Sequence, residues 1–125
     1  MYSNFLNIQK SENFKQMKHL ATAIQLQEVI ENEEMVLFYL SGSKCGVCHV
    51  LRPKVEELIE TNFPKISMYH VDEISEPTVA AALNVFTVPT VVLYIQGKEY
   101  LRKSGSFGVS ELYEEIKRPY DLLFE

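Results

Sequence analysis

Cys45 and Cys48 are the only cysteines among the 125 residues, and two positions separate them. They lie where an apolar run, residues 35–40, gives way to a helical pattern. A cysteine at the start of a helix meets unpaired backbone N–H groups and the positive end of the helix dipole, and both lower the pKa of its thiol. The pair therefore predicts thiol-disulfide exchange, with Cys45 as the nucleophile and Cys48 as the resolving thiol.

The spacing of the two cysteines suits a reversible bond between them. Around a helix start, residues three positions apart can bring their Cα atoms within about 4.4–6.8 Å, the range that a disulfide requires. Attack by the Cys45 thiolate on a substrate disulfide gives a mixed disulfide, which Cys48 resolves as the pair becomes oxidised. An external reductant must then restore the dithiol. In a reducing cytosol, a lone pair is more typical of a catalytic or metal-binding site than of a structural crosslink.

Hydrophobic periodicity predicts alternating strands and helices around the pair. Residues 35–40 are apolar without alternation, which is typical of a central strand covered on both faces. The predicted strands span residues 19–25, 35–40, 66–71, 90–95 and 98–103, and the predicted helices span residues 26–33, 47–60, 77–83 and a last segment from residue 109 that ends before Pro119. This order predicts an α/β fold, a central mixed β-sheet flanked by helices on both faces.

Individual positions within these elements carry their own expectations. Val47 and Val50 fall on the apolar face of the helix after the cysteines, so both are expected to face the core. Pro53 should kink this helix, because proline removes a backbone donor and clashes with the preceding turn, at about 3 kcal/mol. Phe86 would line a substrate groove or fill the core, and the core is the preferred interpretation. Asp72, at a strand end, is interpreted as a turn residue rather than a base.

Composition limits the class of protein. The chain is 46% hydrophobic and 23% charged, which fits one domain, at residues 19–125, after an N-terminal extension at residues 1–18. A net charge of −5 without a basic cluster makes nucleic acid and anionic lipid unexpected partners. The N-terminus lacks the features of a secretory signal, and no apolar run approaches membrane-spanning length. We therefore expect a cytoplasmic protein.

Taken together, the spaced features resemble the thioredoxin family over about residues 18–116. Cys45-Gly46-Val47-Cys48 resembles the family's Cys-Gly-Pro-Cys site, and Pro53 resembles its helix proline. Val88-Pro89-Thr90 resembles its cis-proline loop, Gly97 its hairpin glycine, and Gly105 the glycine after its last strand. The combination is more specific than the tetrapeptide alone. It implies the thioredoxin fold and thiol-disulfide oxidoreductase activity.

The resemblance also implies residue roles and partners. The peptide bond before Pro89 would be cis and would face the disulfide, which leaves the Val88 backbone free to pair with an extended substrate. The implied substrate-binding residues are Thr87, Val88, Pro89 and Gly105, and the implied active-site turn includes Lys44, Gly46 and Val47. The implied partners are disulfide-containing protein or small-thiol substrates, and a thioredoxin reductase or low-molecular-weight thiol as electron donor. The resemblance implies no cofactor and no metal.

Three positions depart from the family pattern. Lys44 stands where the family has tryptophan, and the chain contains no tryptophan. Val47 replaces the site proline, which changes the rigidity of the turn. Tyr39 replaces the family's buried acid. Because a phenol with a reference pKa of about 10 is a poor base at neutral pH, proton removal from Cys48 would fall to water, His49 or another group.

Other functions are compatible with parts of the sequence. A thioredoxin-like adaptor would bind a partner through the same groove with little redox activity, and an oxidant or isomerase would have a more oxidising dithiol. Cys45-x-x-Cys48-His49 also matches a haem c attachment site, which would need export machinery. A zinc or iron-sulfur site needs more soft ligands than two cysteines with His19, His49 or His70 supply.

Overall fold

The computed structural model describes residues 16–125, which form a five-stranded mixed sheet with helices on both faces. The strands are β1 (Lys18–His19), β2 (Met35–Ser41), β3 (Ser67–Asp72), β4 (Thr90–Ile95) and β5 (Lys98–Ser104). The helices are α1 (Ala23–Asn32), α2 (Gly46–Asn62), α3 (Pro77–Ala82) and α4 (Val109–Phe124). The predicted α/β fold class is confirmed. The expected extension at residues 1–18 falls largely outside the described residues, so this division of the chain stays a prediction.

Strand β2 is the centre of the sheet, and every residue in it is buried. The strand order is β1-β3-β2-β4-β5; β3 is parallel to β1 and β2, and β4 is antiparallel to β2 and β5. Alternate side chains of a strand point to opposite faces. Leu37 therefore packs with residues of α2 and α4, whereas Phe38 packs with residues of α1 and α3. Cover on both faces explains the continuous apolar run.

The sheet topology brings three chain segments to one edge. Because β2 and β3 are parallel, their carboxyl ends lie side by side, where β2 continues into the loop that carries Cys45. Strand β4 runs the other way, so its first residue, Thr90, pairs with Leu40 and brings Pro89 to this edge. Strand β5 ends here too, since Ser104 pairs with Thr90. Segments far apart in the sequence thus meet where the dithiol lies.

Helix α1 begins at Ala23, so the predicted strand at residues 19–25 is wrong beyond His19. The cause is a capping box. Thr22 Oγ1 accepts a hydrogen bond from the Gln25 N–H at 3.1 Å, and Gln25 Oε1 accepts one from the Thr22 N–H at 3.2 Å. These bonds satisfy donors that a helix start otherwise leaves unpaired, and they fix Thr22 as the N-cap.

Helix α4 continues through Pro119 to Phe124, so the predicted end before Pro119 is wrong. The proline deprives the helix of one backbone hydrogen bond, and an interior proline costs about 3 kcal/mol. Beyond it, the buried Tyr120 ring packs edge-on against Phe63 with centroids 5.0 Å apart, and its hydroxyl accepts the Lys65 N–H at 3.1 Å. This packing offsets the cost of the proline and keeps the last turns helical.

The remaining predicted strands and helices agree closely with the structure. Strands β3, β4 and β5 and helix α3 each match within one residue at either end. Helix α2 runs through Pro53, and the predicted kink there stays a prediction. Asn84, at a φ of 56°, follows the end of α3. Gln96 and Gly97 both have positive φ, which is typical of a two-residue turn between hairpin strands.

Candidate active site

Cys45 and Cys48 form a disulfide at the amino end of α2. Their Cα atoms lie 5.3 Å apart, within the range that their spacing predicts. Cys45 is the N-cap, and its Sγ accepts a hydrogen bond from the Cys48 N–H at 3.2 Å. After reduction, this N–H and the helix dipole would stabilise a thiolate at Cys45. Cys45 is partly exposed and Cys48 is only 1% exposed, so Cys45 is the residue that a substrate can reach.

A short loop joins β2 to the dithiol. The Cys45 N–H donates to the Gly42 carbonyl at 3.1 Å, and the Cys45 carbonyl accepts the His49 N–H at 3.4 Å as the first bond of the helix. The His49 ring Nε2 lies 3.4 Å from the Ser43 carbonyl. Lys44 and His49 are both exposed. The loop therefore presents a solvated lysine immediately before Cys45, instead of an aromatic cover.

The Val88–Pro89 peptide bond is cis, as the family resemblance implies. Pro89 is buried and Val88 is half-buried. Val88 lies close to the loop before the dithiol, since a Cβ placed on Gly42 would be 3.6 Å from Val88 Cγ2. No hydrogen bond reaches the Val88 backbone from any of residues 16–125. Its N–H and carbonyl are therefore available to an extended chain that pairs with this loop.

The ends of β4 and β5 hold the cis-proline loop. The Gly105 N–H donates to the Pro89 carbonyl at 2.9 Å, from a φ of 75° that glycine adopts without strain. The Thr90 hydroxyl donates to the Thr87 carbonyl at 2.8 Å and lies 2.9 Å from Ser104 Oγ. The four predicted substrate-binding residues thus lie together at the sheet edge that also leads to the dithiol.

Val47 and Val50 are 50% and 61% exposed, so the expectation that they face the core is wrong. The buried residues at the start of α2 are Cys48 and Leu51, each one position later. One position is about 100° around a helix, since a turn contains 3.6 residues. The buried face of α2 is therefore rotated away from the two valines, which point outwards beside the disulfide.

An apolar groove adjoins the active-site turn. It has a volume of about 550 Å³ and is lined by the exposed Gly46 and Val47, by Val50 and Lys54 on α2, and by Phe107 after β5, among others. Apolar surface of this kind, bordered by a polar residue, is typical of protein contact sites. The predicted active-site turn thus forms one end of a groove that a partner chain could fill.

Phe86 is 76% exposed, so its predicted place in the core is wrong. The preceding residue, Val85, is buried and supplies the contact with the core instead. Arg102 fixes the start of this segment, because its guanidinium donates to the carbonyls of Leu83 at 2.7 Å and Asn84 at 3.1 Å. Phe86 is therefore presented to solvent three residues before the cis-proline.

Tyr39 stands at the position of the family's buried acid and is fully buried. Its hydroxyl donates to the Cys48 carbonyl at 2.7 Å. Burial raises the pKa of Tyr39 to about 12, so the phenol is neutral at physiological pH and cannot accept the Cys48 proton. This contact is absent from the sequence-based predictions. The alternation along β2, which turns residue 39 towards α2, is the sequence signal that indicates it.

His70, a half-buried side chain next to Tyr39, is a second group to which the sequence-based predictions give no role in dithiol chemistry. It pairs in register with Tyr39, and the two rings stack with centroids 6.4 Å apart and an interplanar angle of 29°. His70 Nε2 lies 2.6 Å from Ser41 Oγ. Burial, with a smaller effect of the Arg52 charge, lowers the pKa of His70 to about 4. The imidazole is therefore neutral at physiological pH.

His70 should make the free energy of unfolding depend on pH. Its pKa of about 4 in the folded chain lies below the ordinary value of 6.5, so the unfolded chain binds its proton first. The stabilisation is complete above about pH 6.5 and is lost as the pH falls through about 4. We expect a loss of about 1–2 kcal/mol across this window, because partial exposure screens the effect.

Chemical denaturation at a series of pH values measures this dependence. The His70→Gln variant should show a flatter profile between about pH 6.5 and 4 than the wild-type chain. Asp72 and Glu99 act at more acidic pH, because their hydrogen bonds lower the pKa of each carboxyl below its ordinary value. An unchanged slope in His70→Gln within the upper window would contradict the role given to His70.

Asp72 is the last residue of β3, and its side chain holds the turn that follows, as predicted. Its Oδ1 accepts the N–H groups of Ile74 at 2.9 Å and Ser75 at 3.0 Å. The backbone hydrogen bond from Ser75 is the main cause of the lowered pKa of Asp72. Within residues 16–125, no cluster of three or more histidine, cysteine, aspartate or glutamate side chains is arranged to hold a metal ion.

Comparison with known proteins agrees with this geometry. The family model described as Thioredoxin matches residues 16–118. The chain belongs to the thioredoxin family. Thioredoxin-like protein YdfQ of Bacillus subtilis (strain 168) is 31% identical over 108 residues, which cover 86% of this chain and 96% of that protein. The thioredoxin of Mycoplasmoides gallisepticum is 26% identical over 105 residues, which cover 81% of this chain and 100% of the relative.

Solved thioredoxin structures share the fold. The X-ray structure of Fasciola hepatica thioredoxin has a TM-score of 0.73 at 33% identity, covering 82% of this chain and 98% of the other. A mutant thioredoxin from Halobacterium salinarum has a TM-score of 0.73 at 25% identity, covering 84% of this chain and 90% of the other. Membership of the thioredoxin family, with a Cys-x-x-Cys pair at disulfide distance, supports thiol-disulfide oxidoreductase activity. None of the helices within residues 16–125 has the length and apolar character needed to cross a bilayer.

Proposed function

We propose that this protein is a thioredoxin-like reductase of protein disulfides that works through a Cys45/Cys48 dithiol-disulfide cycle. The observation that carries the proposal is the pairing of two features at one sheet edge. A partly exposed Cys45 caps α2, and the cis-proline loop, with the Val88 backbone unpaired among the described residues, lies against the loop before it. The first feature supplies a nucleophile, and the second supplies backbone groups that can hold an extended substrate beside it.

The proposed cycle has two steps. In the first, the Cys45 thiolate attacks one sulfur of the substrate disulfide, and the other substrate sulfur leaves with the electron pair and takes a proton from water. In the second, Cys48 loses its proton and attacks Cys45 Sγ, so that the Cys45–Cys48 bond forms and the bond to the substrate breaks. The substrate gains two electrons and the protein loses two. A thioredoxin reductase or a low-molecular-weight thiol is the proposed donor that restores the dithiol.

Exposed apolar side chains support proteins as the principal substrates. Val47 and Val50 flank the disulfide on the α2 side, and Phe86 projects from the segment before the cis-proline. A polypeptide can pair with the Val88 backbone and also bury exposed apolar side chains of this kind, which a small polar thiol does not need. We also propose a reducing cytoplasmic compartment, where a lone cysteine pair at this spacing serves redox chemistry rather than crosslinking.

A thiol count on both reactants tests the proposal. The dithiol form is mixed with a disulfide-containing protein, quenched with an alkylating reagent and analysed by mass spectrometry. We expect two thiols to be lost from Cys45 and Cys48 for each substrate disulfide that is reduced. The proposal fails if the substrate disulfide stays intact under conditions in which dithiothreitol reduces it.

A thioredoxin-like adaptor is the second candidate, favoured by the same exposed apolar groove and by the neutral Tyr39 at the position of the family's acid. An adaptor would bind its partner through side-chain and backbone contacts without exchanging electrons. The variant with both Cys45 and Cys48 replaced by serine separates the two candidates. Undiminished capture of a partner by this variant would favour the adaptor, and loss of capture would favour the reductase.

A further inference from the structure

We propose that Tyr39 is the positioning residue for the resolving cysteine, because its hydroxyl ties the Cys48 carbonyl to the central strand during the second step of exchange. The inference rests on the proposed reductase function and adds to it a residue that acts on one step only. Tyr39 would not touch the reacting sulfurs. It would act by holding the peptide group of the residue whose sulfur must close the ring.

The contact connects the central, fully buried strand β2 to the start of α2. Tyr39 lies in the middle of a strand in which every residue is buried, and its hydroxyl lies 2.7 Å from the Cys48 carbonyl. Pro53 cannot donate to the His49 carbonyl, so α2 lacks one helical hydrogen bond beside this point. The phenol supplies a bond from outside the helix where its own bonding is reduced.

The phenol is itself held in one orientation. Its ring stacks on His70, which pairs with it in register and is fixed in turn by Ser41 Oγ at 2.6 Å from His70 Nε2. Because burial raises the pKa of Tyr39 to about 12, the hydroxyl remains a donor throughout the physiological range. The two charged neighbours that affect this pKa, Arg52 and Glu56, act in opposite directions.

The hydrogen bond from the Tyr39 hydroxyl to the Cys48 carbonyl does not involve either sulfur atom. In the disulfide form, Cys45 Sγ caps the helix by accepting the Cys48 N–H, and this same sulfur changes its covalent partner at each step of the exchange. The Tyr39 bond uses a backbone carbonyl instead, so no sulfur bond is made or broken by keeping it. Holding the Cys48 peptide in place keeps its sulfur within reach of Cys45, which raises the rate of an intramolecular attack.

The two steps can be timed separately in the Tyr39→Phe variant, which keeps the ring and removes only the hydroxyl. Reduced protein is mixed with a protein disulfide, quenched in acid at increasing times and analysed by mass spectrometry. We expect the mixed disulfide at Cys45 to form within about twofold of the wild-type rate. Release of the substrate should slow by about tenfold, so that the mixed disulfide accumulates.

Tyr94→Phe is the matched control. Tyr94 also lies on the sheet and packs edge-on against Phe38 at 5.7 Å, but within residues 16–125 its hydroxyl has no hydrogen-bond partner. Both rates should match wild type in this variant. The proposal is overturned if Tyr39→Phe releases substrate at the wild-type rate, or if it slows both steps equally, which would indicate a general structural defect. Failure of the reduced wild-type protein to reduce the substrate disulfide at all would instead overturn the proposed function.

Discussion

Replacing Cys45 with serine is expected to lower the rate of protein disulfide reduction at least about a thousandfold, because a serine hydroxyl is un-ionised at neutral pH and cannot replace a thiolate nucleophile. Cys45 is the partly exposed member of the pair and caps α2, whereas Cys48 is covered by the core. The measurement is the rate of substrate thiol release, followed under the same conditions for wild type and Cys45→Ser.

Cys48→Ser is the matched control for this prediction. It keeps the nucleophile, so it should form a mixed disulfide through Cys45 and then stop, because no second thiol is present to release the substrate. Mass spectrometry of the trapped adduct identifies the linked residue. Wild-type turnover in Cys45→Ser, or a stable adduct at residue 48 in that variant, would contradict the assignment of Cys45 as the attacking residue.

Replacing Tyr120 with alanine is expected to lower the free energy of unfolding by about 3 kcal/mol, the lower end for deletion of a buried aromatic side chain. The ring contacts Phe63 at 5.0 Å and Phe124 at 4.9 Å between centroids, and its hydroxyl accepts the Lys65 N–H. These contacts hold the part of α4 that follows Pro119. Chemical denaturation of the oxidised protein at neutral pH measures the change.

Tyr120→Phe separates the two kinds of contact. It keeps the ring packing and removes the acceptor of one backbone donor, so its loss should be close to about 1 kcal/mol. A loss below about 1 kcal/mol for Tyr120→Ala would mean that the turns beyond Pro119 add little to the fold. It would also remove the reason given for a helix that continues through a proline.

Patterns that depend on local periodicity predict the fold well. The apolar run of residues 35–40 becomes the buried central strand β2, and the hairpin of β4 and β5 follows from a β-branched run and a glycine turn. The position of the dithiol at a helix start is also predictable, because strand, loop and amphipathic helix follow each other directly. These features depend on the local pattern of apolar, polar and turn residues, which can be read directly from the sequence.

The wrong predictions concern positions whose structure depends on tertiary contacts. Pro119 is a helix breaker by local rules, and only the packing of Tyr120 keeps α4 intact. Val47 and Val50 are apolar, yet the sheet covers the neighbouring face of α2 and leaves them exposed. The wrong start of α1 has another cause, because the spacing of Thr22 and Gln25 is itself a sequence signal for a capping box. The strand predicted over residues 19–25 includes both residues, so this signal is not used.

In the candidate site, too, some features follow from sequence motifs and others from tertiary contacts. The cysteine pair and the cis-proline loop are found from motifs, and the topology of the sheet explains why they meet. No sequence motif indicates the contact of Tyr39 with the Cys48 carbonyl, since it depends on how α2 packs on β2. The family resemblance marks residue 39 as a departure, and the structure supplies what the new side chain contacts.

The most direct test of the account is a redox titration of the Cys45–Cys48 pair. The protein is equilibrated at a series of reduced-to-oxidised glutathione ratios, alkylated, and analysed by mass spectrometry for the two cysteines. We expect one reversible two-electron transition between the dithiol and the intramolecular disulfide. A pair that stays as two free thiols at every ratio, or that forms bonds only between separate chains, would contradict it.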